Sequence, residues 1–77
     1  MSYVIGVKKE DATYCLKASV ENNCFLLIPV KSDSDLSRIF SHPYRNGAMQ
    51  ILNWINKNDS KLASEKLEIY VEGKFRK

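Results

Sequence analysis

Three apolar segments follow one another with connections so short that only turns fit between them. Residues 3–8 alternate, with Tyr3, Ile5 and Val7 on one side and Val4, Gly6 and Lys8 on the other. Residues 13–20 alternate again, Tyr14, Leu16, Ala18 and Val20 against Cys15, Lys17 and Ser19. Period-two patterning of this kind is a strand signal. Glu10-Asp11 as a two-residue loop pairs Lys9 with Ala12 and sets Val7 against Tyr14, Ile5 against Leu16 and Tyr3 against Ala18. A slip by one residue would turn every apolar side chain to the wrong face, so the pattern favours this register.

The third segment, residues 24–30, is apolar throughout and contains the helix-hostile Pro29. Two registers are open. The preferred one has a three-residue Glu21-Asn22-Asn23 loop. It sets Val20 against Cys24, Ala18 against Leu26, Leu16 against Ile28 and Tyr14 against Val30. A two-residue Asn22-Asn23 loop instead directs Phe25 and Leu27 to that face; Asn suits either turn because it tolerates left-handed backbone.

Beyond Val30 the period changes. Asp33 or Ser34 can cap a short helix over about 34–40 carrying Leu36, Ile39 and Phe40. His42-Pro43 ends it, since proline disfavours helix in the residue before it, and Pro43 can open the next helix. Over about 44–57, at 100° per residue, Tyr44, Ala48, Ile51, Leu52 and Ile55 share one apolar stripe. Trp54 and Met49 flank it, and Gly47 weakens the first turn. Residues 56–64 read as a polar connection. Leu67, Ile69 and Val71 then alternate with Glu68, Tyr70 and Glu72, giving a strand over about 67–72 that returns to a sheet edge. The fold class is therefore α+β: a three-stranded antiparallel meander (3–8, 13–20, 24–30), a short helix, a main amphipathic helix and a C-terminal edge strand. One compact domain spanning 1–77 is expected, with a short basic tail at 74–77.

Charge bears on partners. The net charge is +3 with a pI near 9.0. Residues 1–30 and 31–73 are each neutral; the excess is Lys74, Arg76 and Lys77. A nucleic-acid footprint should cluster on a face, so the composition points to a neutral body with a basic tail. Lys outnumbers Arg, which also weighs against bidentate base readout.

The two cysteines fall about five residues apart along adjacent strands, roughly 17 Å, too far for the ~7 Å limit of a disulfide. They are expected as reduced core or near-core residues. With His42 the only histidine, no metal-ligand spacing exists. No apolar run approaches the ~18 residues of a membrane span, and no signal-peptide pattern is visible. A cytoplasmic location and no membrane contact are expected.

No catalytic constellation, metal or cofactor is assigned. His42 has only Ser41 and Asp35 near it in sequence, and a His before Pro more often makes local hydrogen bonds. Asp33 and Asp35 suit helix capping, and Glu68 and Glu72 a solvated strand face. No glycine-rich phosphate loop is present.

Surfaces carry more promise. The sheet face away from the main helix would bear Val4, Lys17, Phe25 and Leu27, a partly apolar patch, unless the short helix folds over it. The outer face of the main helix carries Asn46, Gln50, Asn53, Asn56 and Lys57, with Arg45 at its margin and Trp54 at the stripe's edge. Amides desolvate more cheaply than charges, and Trp, Tyr and Arg are hot-spot residues. The plan, length and composition resemble, as a class and without any shared motif, small phage-encoded or mobile-element proteins that block a host factor by direct binding. The leading expectation is a non-enzymatic protein-binding module, an inhibitor or adaptor, with Val4, Lys17, Phe25, Leu27, Arg45, Gln50, Asn53 and Trp54 at the contact and homodimerisation an option. One alternative is nucleic-acid binding through Lys8, Lys17, Lys74, Arg76 and Lys77. Another is a small anionic ligand, such as a nucleotide, held at a dimer seam.

Overall fold

The structure is a computed structural model. It describes residues 2–19, 21 and 24–75, with the side chains of residues 74 and 75 outside that description. The strands are β1 (Tyr3–Lys8), β2 (Thr13–Ser19), β3 (Cys24–Val30), β4 (Ser41–His42) and β5 (Glu68–Val71). The helices are α1 (Asp33–Leu36), α2 (Arg45–Asn58) and α3 (Ser60–Ala63), and a 3-10 turn follows at Glu72–Phe75. One antiparallel sheet has helices on both faces, the α+β plan expected from the alternation. The radius of gyration, 11.6 Å, matches the ~11.5 Å of a compact chain of this length.

The first hairpin turns on Glu10-Asp11. Lys9 N–H donates to Ala12 O at 2.9 Å, and Val7 pairs with Tyr14. The pairing then stops at Gly6–Cys15, so the expected Ile5–Leu16 and Tyr3–Ala18 pairs do not form. On one edge β1 pairs with β5, from Tyr3–Val71 to Gly6–Glu68. Tyr3 and Val4 also pair with His42 and Ser41 of β4. A strand has two edges, so β4 and β2 share the other one. Phe40 N–H donates to Leu16 O at 2.7 Å, which marks the segment entering β4 as a wedge between β1 and the diverging end of β2.

The β2–β3 register pairs Ser19 with Cys24, Ala18 with Phe25 and Leu16 with Leu27. The connection is therefore residues 20–23, longer than either loop considered from sequence. Its consequence for the faces is that of the two-residue alternative. Phe25 and Leu27 pack on the α2 side with Ile5, Leu16, Ala48, Leu52 and Ile55, and Phe25 meets the Phe40 ring edge-on at 5.7 Å. The opposite face holds a second cluster of Val4, Cys15, Leu36 and Ile39, with Ile28, Val30 and Tyr70 against it. The face expected to be open is thus covered by α1 and the turn after it.

Helix boundaries follow their caps. The short helix is Asp33–Leu36 and its N-cap is Ser32, one residue before the expected Asp33 and two before Ser34. The Asp35 carboxylate accepts from the backbone N–H of Lys31 at 2.9 Å and of Ser32 at 3.3 Å. Those bonds hold its carboxyl below the usual carboxylate range. Tyr44, expected in the buried stripe, is instead the extended N-cap residue of α2 and is 71% exposed. Residues 56–64 are not simply a connection. Asp59 ends α2 by donating its N–H to Ile55 O, and starts α3 by accepting the Leu62 N–H at 3.0 Å. Leu62 and Leu67 then close the main core. Lys66, just before Leu67, takes the left-handed conformation at φ 57° that glycine more often fills.

Both thiols are free. Cys15 is fully buried, and burial pushes its pKa up to about 11. Cys24, expected at or near the core, is exposed. Only a thiolate reacts quickly with alkylating agents. One thiol should therefore label at once in the folded protein, and the second only as fast as the chain opens. Mass spectrometry after brief iodoacetamide treatment, with and without denaturant, checks this; rapid double labelling of folded protein would contradict the burial of Cys15.

Candidate functional site

The buried stripe of α2 is Ala48, Leu52 and Ile55. Trp54 sits one position from Ile55, about 100° round the helix, so its indole leaves the core at the stripe's edge. It is 56% exposed, which is unusual for the largest side chain in the protein. Beneath it lies an open groove of about 630 Å³, lined by Ala18, Ser19, Cys24, Phe25, Trp54, Asn58 and Asp59. One wall is the far end of the β2–β3 hairpin. The other is the last turn of α2 and its corner into α3.

That corner is fixed locally. Asn58 Nδ2 donates to Trp54 O at 2.9 Å, and Asp59 is committed to capping both helices. The groove wall is thus held by local bonds between the Asn58 and Asp59 side chains and the helix backbone. Along the rest of α2, Arg45, Asn46, Gln50, Asn53, Asn56 and Lys57 are all exposed. The helix contains no carboxylate, and among the described residues neither Arg45 nor Lys57 has an ion-pair partner. The surface is apolar at Trp54, amide-rich along the helix and positive at both ends.

Of the residues picked out from sequence, Arg45, Gln50, Asn53 and Trp54 are all exposed on α2, with Arg45 and Trp54 at opposite margins of its outer face. Val4 does not belong to any contact face, because it is buried beneath Leu36 and Ile39. Phe25 and Leu27 are also corrected: they are half-buried and pack on the main core, and Phe25 reaches the surface only as groove lining. Lys17 is half-buried on the opposite sheet face, across from Leu26.

Of the basic set, the structure describes the side chains of Lys8 and Lys17. Lys8 is exposed, with its ammonium 6.0 Å from the centre of the Tyr70 ring. Val4 and Cys15, on the face it shares with Lys17, lie beneath α1 and the turn after it, so no open sheet platform joins the two lysines. Arg76, Lys77 and the side chain of Lys74 lie outside the described residues.

His42 makes the local bonds expected of it. Its Nδ1 accepts the Tyr44 N–H at 3.0 Å. The same Nδ1 lies 3.1 Å from the Tyr44 carbonyl, which also accepts the Ala48 N–H at 3.1 Å, so the ring nitrogen bonds the N–H or the carbonyl according to its tautomer. Among the described residues, no three His, Cys, Asp or Glu side chains gather in a metal-binding group, and no helix is long and apolar enough to cross a membrane.

The sequence did not point to Ala18, Ser19, Cys24, Asn58 or Asp59 as groove residues. The Asp59 cap was visible in Asp59-Ser60-Lys61-Leu62, whereas Ala18 and Cys24 depended on the unrecognised hairpin register. Compared with known proteins, the chain matches no family model, no curated protein and no solved structure.

Proposed function

We propose that this domain is a protein-binding module that acts by direct contact, blocking or bridging its partner, and that the contact centres on Trp54. The observation that carries the reading is a half-exposed Trp on a rigid helix, set over a groove with Phe25 in its lining. An aromatic anchor needs little further ordering when it is already held by a helix, so less of its contact energy is lost on binding. Amides around it both donate and accept, which lets them pair with a partner's backbone as readily as with its side chains. Arg45 and Lys57 favour a partner whose rim is acidic.

Trp54 is the only tryptophan, so its fluorescence reports the contact directly. Proteins retained from the native cell by immobilised wild type should be lost with Trp54→Ser. For the purified partner, the dissociation constant should rise at least ~30-fold, as truncation of a hot spot does. Wild-type emission should shift to the blue on binding, and the thermal midpoint of Trp54→Ser should stay near wild type. A partner whose affinity is indifferent to both Trp54→Ser and Asn53→Lys, with no emission shift, would remove this surface as the site.

A further inference from the structure

β3 is the outermost strand: its inner edge pairs with β2, and no described strand covers its outer edge. The direction of its backbone groups follows from one hydrogen bond. Leu16 O accepts from Phe40 N, so Leu16 turns its backbone toward β4 and away from β3. Successive residues alternate, so Cys15 and Lys17 turn theirs toward β3. Their partners Ile28 and Leu26 then bond inward, and Phe25, Leu27 and Pro29 face outward. Pro29 fits this assignment, because its missing N–H falls where no ladder bond is needed. Phe25 and Leu27 each present an N–H and a C=O to the outside.

Natural edge strands are usually blunted by charge, proline or a bulge. β3 reads Cys-Phe-Leu-Leu-Ile-Pro-Val, with no charged residue, and Pro29 guards only one end. Leu26, one residue from its middle, is 42% exposed on the side opposite α2.

We propose that a second copy of this chain docks here, β3 against β3, antiparallel, with the two-fold axis at Leu26. In this register Phe25 of each copy pairs with Leu27 of the other, and every outward N–H and C=O of both residues finds a partner. Moving the register by one bonding pair sets Phe25 against Pro29, which has no N–H to give, and leaves the Phe25 carbonyls unbonded. Leu26 meets its own counterpart in a non-hydrogen-bonded pair with Cα atoms ~4.5 Å apart, which removes the exposed leucines from water. Self-pairing brings no like charges together. The nearest, Lys17, lies three strand spacings from its counterpart, about 14 Å, beyond the ~8–10 Å over which salt leaves charges unscreened. An edge about 23 Å long is smaller than a standard interface, so the dissociation constant is on the order of micromolar or weaker.

The test is sedimentation equilibrium across about three decades of concentration, from about micromolar to about millimolar. The mass should rise from 8.9 kDa toward twice that value. Leu26→Lys, which sets two ammonium groups across the axis, should stay at one chain with an unchanged thermal midpoint. In a Cys24→Ser background, Leu26→Cys should oxidise to a covalent dimer, because ~4.5 Å lies within disulfide reach. Hydrogen exchange gives a readout that needs no substitution: the Phe25 and Leu27 amides should slow as concentration rises, while those of Leu26 and Ile28 should not change. A single-chain mass at every concentration, a dimer that Leu26→Lys does not weaken, or a dimer without concentration-dependent protection of Phe25 and Leu27 each overturns the proposal.

Discussion

Gly6→Ala is expected to destabilise the protein by about 2–4 kcal/mol, a large share of the roughly 4–11 kcal/mol typical of a chain this size. Gly6 lies mid-sheet, paired with Glu68 on one side and Cys15 on the other. A methyl group there would run into the backbone carbonyl of Tyr14, and would sit 3.0 Å from Cys15 Sγ and 3.2 Å from Cys15 Cα. Backbone atoms cannot rotate away as a side chain can. Relief requires β1 and β2 to part, and β5 holds β1 from behind. The left-handed region plays no role, since no glycine here has positive φ; the requirement is close approach alone. In the absence of a clash, alanine should gain about 0.5–1 kcal/mol over glycine in a strand, so the expected loss opposes propensity. Urea denaturation of both proteins measures it. Gly73→Ala, where nothing lies within 4 Å of the added methyl, is the control and should stay within about 0.5 kcal/mol of wild type. A Gly6→Ala protein as stable as wild type would show that the two strands separate freely.

The same close approach explains where the sequence could be read and where it could not. β1 and β2 alternate because each contrasts a larger apolar set with small or polar residues, and that contrast fixed their hairpin. Nothing in the alternation shows that pairing ends at Gly6, because Ile5 and Leu16 are both core residues whether they face each other or admit Phe40 between their strands. β3 was harder for a different reason. Phe25 and Leu27 enter the α2-side core while Ile28 and Val30 enter the α1-side cluster. A strand that feeds a core on each face is apolar along its length, even though Leu26 stays exposed, so it carries no period-two contrast from which to set its phase.

The candidate site divides along the same line. Arg45, Gln50, Asn53 and Trp54 were placed by the 100° geometry of one long helix, which needs no partner to be correct. Val4, Phe25 and Leu27 were placed by a sheet register and by the assumption that one face was open. Both depended on contacts distant in sequence, and α1, at four residues, is too short to announce by periodicity that it covers a face. Tyr44 failed at a boundary: Pro43 can open a helix, but here α2 starts at Arg45, two residues after it, and leaves Tyr44 extended.

Gly47→Ala should likewise destabilise, by about 1–3 kcal/mol, although alanine in a helix interior is ordinarily worth ~1 kcal/mol over glycine. The space a methyl would need is occupied by the His42 imidazole, whose Cε1 and both nitrogens would be overlapped. The ring is not free to leave. His42 is held in β4 opposite Tyr3, and its Nδ1 takes the N–H of Tyr44, the residue that begins α2. Swinging it out would release that N–H at the first turn of the helix. The decisive comparison is therefore a cycle. In a His42→Ala background the obstruction is gone, and the second substitution, Gly47→Ala, should stabilise by about 1 kcal/mol through propensity alone. The same methyl is then unfavourable against the ring and favourable without it, a coupling of roughly 2–4 kcal/mol. Four denaturation curves determine it. Equal effects of Gly47→Ala in both backgrounds would mean that the imidazole yields without cost and that β4 is not positioned through this contact. A reversal of sign would establish that the residue that seemed to weaken the helix in the sequence is what lets the helix dock on the strand before it.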